Sequence, residues 1–375
     1  MYTHLNFPKI LLLSFTVLCF IFTETVLSQT KSQSQIQTEA ESYKDRASLE
    51  LGAIDFPTSA SGKAQQEFMT GVLALHSFWY PEARTHFKNA RTLDPNFALA
   101  YWGEAMTYDH PVWGQHDQSA GKAILEKMDN RKASLKWDKR EKQYVAAVKK
   151  LYNDADKLSM YDRRRAYAEA MDQLTADYPL DDEALVFAAL ANLTVPDYDY
   201  NNPDVRDLVP IAANLEELYQ RNPSHPGALH YLIHLYDNEK FAEMGLRPAR
   251  QYADIAYSSS HAIHMPSHIY KHLEMWPKVI ESNIAAWNAS IEWQQETDRP
   301  LDSRDYHSYR WLFDAYMEIQ NYTNACSIIK NLSSLKNEAL GKSQEADRIS
   351  RTLKRIKDKY QTADLEKQHE CTVES

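Results

Sequence analysis

Six histidines of this chain form three pairs 34 residues apart: His76 with His110, His230 with His264, and His234 with His268. Thirty-four residues is the period of a helix–turn–helix repeat that stacks on copies of itself. Groups recurring at one repeat period come from equivalent places on stacked helices, so they face a common surface. The spacing therefore constrains the chain to an array of helix pairs. A surface with this much imidazole suits a metal better than a peptide.

One unit reads clearly. With residue 64 as position 1, Gly71, Ala83, Phe87, Ala90 and Pro95 fall at positions 8, 20, 24, 27 and 32. Small residues there let paired helices approach, and proline ends the second helix. This pattern resembles the tetratricopeptide (TPR) repeat. The next unit starts with Tyr101, Ala105 and Tyr108, then breaks at His110-Pro111-Val112-Trp113-Gly114, where a loop is expected. Further units begin near residues 226, 260 and 306. Tyr270, Trp276 and Ala286 support the second of these, and Tyr309, Leu312, Tyr316 and Ala325 the third. A polar insertion runs from Gln294 to Arg304. Between the clear units, helices are expected at 136–152, 160–177, 182–192 and 207–220, with an acidic loop from Pro196 to Asp207.

Only 9 of 375 residues are glycine, so few turns demand positive φ, and no alternating strand pattern of useful length occurs. The fold class is all-α: a TPR-like α-solenoid of stacked antiparallel helix pairs.

Ahead of the solenoid, residues 1–28 read as a secretory signal peptide. Lys9 gives a weak basic start, Ile10 to Phe22 an apolar core, and Val26-Leu27-Ser28 a cleavage site. Cys19 lacks the small preceding residue of a lipoprotein site. Residues 29–60 read as a flexible leader with a short helix over Thr38–Leu51, 61–335 as the solenoid, and 336–375 as a charged helix and tail. The mature chain is then secreted or extracellular, or periplasmic in a bacterium, without stable membrane insertion. Cys326 and Cys371 survive cleavage, and pairing or two free thiols are both open. Sequons at Asn192, Asn288, Asn321 and Asn331 would carry glycans in a eukaryote. A net charge of −10, with mixed signs, excludes a basic nucleic-acid footprint.

In TPR repeats the first helix lines the concave face through positions 2, 5, 9, 12 and 13, an i, i+3, i+4 stripe. His76 and His110 fall at 13 and Asp109 at 12. His230, His234 and Asp237 fall at 5, 9 and 12, and His261, His264, His268 and His272 at 2, 5, 9 and 13. His307 falls at 2. Nine of fourteen histidines thus lie on one expected surface. His230-x3-His234 and His264-x3-His268 each place two imidazoles one helical turn apart, a metal-binding arrangement. The ligand set read here is His230, His234, His264, His268, His307, His261, His110, His76 and Asp237, with Asp237 or Asp109 alternatively holding a ligand ring from behind. Copper and zinc both suit imidazole, and six or more histidines can bind two ions. Met265 is a soft ligand or packing. Pro266 kinks the stripe or starts a helix. Glu104 and Asp109 are the candidate catalytic carboxylates, as general bases beside a metal-bound water. His76 also sits among Phe78, Trp79 and Tyr80, where plain packing explains it equally well; His225 reaches the groove or shapes a turn; His272, His116 and His86 read as peripheral.

Longer segments carry a closer likeness. Leu75 to Ala83, Ala100 to Met106, His225 to His234 (HPGALHYLIH) and His261 to Ile269 (HAIHMPSHI) resemble a family of TPR-like proteins of bacteria and some invertebrates. The resemblance spans most of residues 55–325 and implies the solenoid without implying a reaction. Relatives often carry histidine where this chain has Phe241, so Phe241 stays outside the site.

Function then rests on the site. A copper-dependent oxidoreductase and a zinc-dependent hydrolase are both open, with a small-molecule or peptide substrate in the concave groove. The alternatives are a non-enzymatic scaffold for a peptide or protein partner, and metal storage or transport. No P-loop, dinucleotide fingerprint, nucleophile elbow or cysteine-based zinc pattern occurs.

Overall fold

The computed structural model of the protein describes residues 49–195, 198–199, 201–363 and 371. The expected signal peptide, most of the leader and most of the tail lie outside the described residues.

Among the described residues the regular structure is α-helical, with a few short 3-10 turns and two two-residue strands. Helices follow one another as antiparallel pairs: α1 (Gly62–His76) with α2 (Tyr80–Leu93), α3 (Ala98–Met106) with α4 (Gln118–Asp129), and α5 (Lys139–Tyr152) with α6 (Met160–Asp177). Then come α7 (Asp182–Leu193) with α8 (Val205–Arg221), and α9 (Pro226–Tyr236) with α10 (Leu246–Ile255). Next, α11 (Ser260–His264) and α12 (Pro266–His272) together pair with α13 (Trp276–Glu296); α14 (Tyr306–Glu318) pairs with α15 (Tyr322–Glu338), and α16 (Ser343–Ala363) caps that end. This is the expected TPR-like α-solenoid.

The repeat is also visible in its turns. Phe78, Glu274 and Gln320 all have positive φ, at 50°, 53° and 58°, and all occupy the same place in their units. In each turn the next amide closes on a carbonyl five residues back: Trp79 on Ala74, Met275 on Tyr270 and Asn321 on Tyr316. These are Schellman caps, with a left-handed residue where glycine is usual. Side chains are tolerated at those positions only because packing over-determines them.

Expected and observed helix bounds agree within a few residues, and local capping sets them. Asp138 and Glu141 form a reciprocal capping box that starts α5 at Lys139. Asp204 starts α8 at Val205, inside the expected acidic loop. Helix α4 was not expected. It follows Asp117, whose side chain accepts from the Ala120 amide, and it carries a glycine, Gly121, that weakens its sequence signal.

The solenoid closes on itself. Helix α1 packs against α9, and the Trp293 indole N–H of α13 donates to Glu82 of α2 at 3.1 Å. Residues 49–60, expected within the leader, join the core: Phe56 is buried against Phe68, Trp102 and Tyr144. Burying one such ring is worth about 1.5–3 kcal/mol. The Ala53 amide also donates to the Ser224 carbonyl.

The C-terminal end has its own apolar cluster, from Trp287 and Leu301 through Phe313, Ile329 and Leu332 to Ile349 and Ile356. Cys326 and Cys371 are joined there by a disulfide that ties residue 371 to α15. No described helix is long and apolar enough to cross a membrane.

Candidate metal centre

Helix α9 carries the first histidine pair, and all of its residues are buried. Its sequence is apolar around the whole circumference, which demands protein on every side. Closure of the solenoid supplies it. His230 and His234, one turn apart, are enclosed with His261 of α11, and their ligand nitrogens lie within 4.8 Å of one another. Phe78 covers this triad. Its ring centre lies 4.3, 5.5 and 5.6 Å from those of His230, His234 and His261. The left-handed backbone of Phe78 thus serves the repeat turn and delivers a wall to the site.

The second triad is His264, His268 and His307, with ligand nitrogens again within 4.8 Å. Met265 and Pro266 separate its first two members. Proline has no N–H and its ring collides with the carbonyl four residues back, so the helix breaks into α11 and α12. Met265 is buried in the core as packing. His307 enters from the start of α14, where Asp305 caps the helix by accepting from the His307 and Ser308 amides.

Hydrogen bonds fix which nitrogen each key ring offers. Asn283 Nδ2 donates to the Val279 carbonyl at 2.7 Å, so its Oδ1 faces His264 and accepts from Nδ1 at 2.6 Å. Asp237 Oδ2 accepts from His268 Nδ1 at 2.6 Å. With both Nδ1 atoms donating, the two rings turn their Nε2 atoms toward each other at 3.1 Å. Such an approach is repulsive unless a proton or a metal ion joins the pair. Two nitrogens bound about 2.0–2.1 Å from one tetrahedral ion are themselves about 3.3 Å apart. The first triad carries half of this motif: His230 Nδ1 donates to the His76 carbonyl at 2.6 Å, and its Nε2 meets His234 Nε2 at 3.1 Å. His261 Nε2 is buried with no hydrogen-bond partner among the described residues. An orphaned buried nitrogen aimed into a histidine cluster is what a missing ligand bond leaves behind. The residues therefore fit a metal ion in each triad.

The electrostatics agree. Burial, and then neighbouring histidines, push His230, His261 and His264 well below the usual imidazole range. Burial and the nearby charge of His268 bring His234 and His307 down to about 3. Neutral imidazole is the metal-binding form. Asp237 is pushed up by burial, but His268 and His272 outweigh that and hold it ionised. It binds His268 Nδ1 and His272 Nε2, from behind the ligand rings. With a metal at His268 Nε2 this would be a carboxylate–histidine–metal arrangement, in which the carboxylate orients the ring and raises its basicity. Asp237 thus stands behind the rings rather than among the clustered ligand nitrogens.

Four other expected ligands and bases, His76, His110, Glu104 and Asp109, stand outside the two triads. His76 has both ring nitrogens engaged, with Glu183 at 2.7 Å and the Tyr231 hydroxyl at 3.0 Å, and it stacks on Phe187. His225 caps α9 through Nδ1 and gives Nε2–H to the other oxygen of Glu183 at 3.1 Å. This buried group is self-satisfied. Burial lowers His76, and Glu183, pushed up by burial, is brought by its two partners down to about 2. His76 contributes to the first triad only through its carbonyl. His110 lies beyond the end of α3, because the helix stops at Met106; Asp109–His110 forms strand β1, paired antiparallel with Gln115–His116, strand β2. Its ring stacks on Tyr80 at 3.7 Å and its nitrogens meet Thr107 and Gln115. The repeat register fails there because the helix ends four residues too early, at Met106 rather than at residue 110.

The expected bases are committed as well. Glu104, nearly fully buried, accepts from Arg91 at 2.9 Å. Asp109 holds Arg164 and His116, each at 2.8 Å. Both make ion pairs, and sequence alone could not reveal partners 13 and 55 residues distant. Conversely, sequence reading missed Asn283, Glu183, Phe78 and Trp311. Trp311 lies one turn after His307 and puts its ring 4.4 Å from His268, a spacing that was legible. Phe241 is half-buried core packing.

No family model matches the chain, and no curated protein sequence matches it. Among solved structures, yeast Tom70 matches at 13% identity, over 88% of this chain and 74% of that one, with a TM-score of 0.36. A likeness that loose bears on neither mechanism nor partner.

Proposed function

We propose that this is a TPR-like metalloprotein that binds copper through its two histidine triads and acts as a copper-dependent oxidoreductase. The observation that carries it is the opposed Nε2 pair of His264 and His268, with each Nδ1 anchored by its own acceptor. Three imidazoles per ion leave an open position for an exogenous ligand. Imidazole sites favour copper over zinc on intrinsic affinity. Hydrolysis at zinc is the weaker reading, because Glu104 and Asp109 are committed to arginines.

Copper, when bound, supplies one-electron redox chemistry. The chain's own residues do the rest. Asn283 and Asp237 aim the second triad, and the His76 carbonyl aims His230. Phe78 and Trp311 wall the rings and exclude water, which strengthens every electrostatic contact inside. A small substrate suits this enclosure better than a peptide. A stripe that read a peptide would be exposed, whereas His230 and His264 are wholly buried. The scaffold alternative then places its partner on another surface of the solenoid.

Secretion belongs to the same reading. The apolar start of the chain and the Cys326–Cys371 disulfide support an oxidising compartment, where the exposed sequon Asn331 is open to a glycan.

The test is dioxygen uptake by copper-loaded protein offered a phenol or ascorbate. Uptake above that of free copper, lost in His268→Ala, is expected. Copper held tightly with no uptake beyond the metal-free control would overturn the oxidoreductase.

A further inference from the structure

We infer that the two triads are halves of one dinuclear centre whose ions share a small bridging anion. This rests on the metal reading above and goes beyond it.

The triads have a common wall. His261 and His264 stand 6.1 Å apart, ring centre to ring centre, and His234 and His268 stand 6.2 Å apart. Within a triad the closest rings are nearer by little more than an ångström, at 4.8 Å for His230 and His234 and 4.7 Å for His264 and His307. His261 is the hinge of the arrangement. It is three residues before His264 on the same short helix, yet its nitrogen belongs with His230 and His234. Ions bound about 2.0–2.1 Å from these nitrogens fall within reach of one small ligand, as in two-metal sites whose ions sit about 3.5–4 Å apart.

Charge decides what that ligand is. All six candidate ligands are imidazoles, which bring no negative charge, and the one adjacent carboxylate, Asp237, is bound to His268 and His272 rather than facing the ions. Two cations side by side in a buried site repel strongly unless an anion lies between them. The protein offers none there among the described residues, so the bridge is exogenous. Its class is a small anion, hydroxide at rest, replaceable by azide. Phe78 packs over the first triad and Trp311 against His268 of the second, so a bridge between the ions would be a ligand of a few atoms rather than a polymer.

The test is copper(II) loading of the full chain, with copper counted by elemental analysis and unpaired spins counted by electron paramagnetic resonance. Two coppers per chain with far less than two spins, and an absorption change on adding azide, are expected. His307→Ala, which removes a ligand from the second triad alone, should restore one full-intensity spin. Two coppers with two full spins, or one copper at saturation, would overturn the dinuclear centre and leave the metal reading standing. No copper at all would sink both.

Discussion

The Nε2 atoms of His264 and His268 face each other at 3.1 Å, although each ring already gives its Nδ1–H to another acceptor, Asn283 and Asp237. The two acceptors come from different helix pairs, so the arrangement is built by the tertiary fold. A ring held this way has lost the freedom to flip and offers one nitrogen only.

Asp237→Asn therefore weakens metal binding without unfolding the chain. Loss of a partner behind a ligand ring usually costs 10–100-fold in affinity. Competition against a chromophoric chelator measures it, and an affinity equal to wild type would show that Asp237 is mere packing.

Stability of the metal-free protein falls with acid from about pH 6.5 downward. His230, His234, His261, His264 and His307 all have lowered pKa values, two of them about 3. The unfolded chain takes up protons there as pH drops through about 6.5, while the folded chain does not. Each such histidine removes about 1.4 kcal/mol per pH unit until its folded pKa is reached. Glu183, depressed to about 2, adds to the loss only below its unfolded range near 4.5. Thermal melts between pH 7 and 5 should move steeply downward, and a flat profile would contradict the buried neutral cluster.

The Glu183 group is structural and should behave so. Removing His76 leaves a buried carboxylate short of a partner, so His76→Ala costs about 3–5 kcal/mol in denaturant unfolding. Gly227→Ala tests the same packing from the other side, because a Cβ there would lie 2.6 Å from His76 Nδ1. Overpacking of this kind costs about 1–3 kcal/mol. Wild-type stability in both would remove the wedge between α1 and α9.

Peptide mapping without reductant should recover the Cys326–Cys371 link. Two free thiols in protein purified without reductant from its own kind of host would contradict both the pairing and the proposed oxidising compartment.

Repeating features were legible in the sequence and closure was not. The first unit, the paired histidines and the later registers are periodic, and periodicity survives without knowledge of tertiary contacts. His230, His234, His261, His264, His268 and His307 were all found this way. His76 stands apart from the two triads because the packing of α1 on α9 turns its ring toward Glu183, 107 residues away, where with His225 it forms a third cluster of possible ligand atoms. His110 was misplaced because a register carried across a loop has no physical force once α3 ends at Met106. Glu104 and Asp109 were chosen for charge near histidine, and their arginine partners are set by the fold. Asn283 had no signal, since an amide on a second helix gains meaning only beside His264.

The central claim is that the triads bind metal, and metal content tests it most directly. The mature protein, purified without chelators from its own kind of host, should carry near-stoichiometric copper by elemental analysis. A His230→Ala/His268→Ala variant, folded by circular dichroism, should carry little. Protein that holds no metal, and takes up none from a metal-buffered solution, would contradict the account.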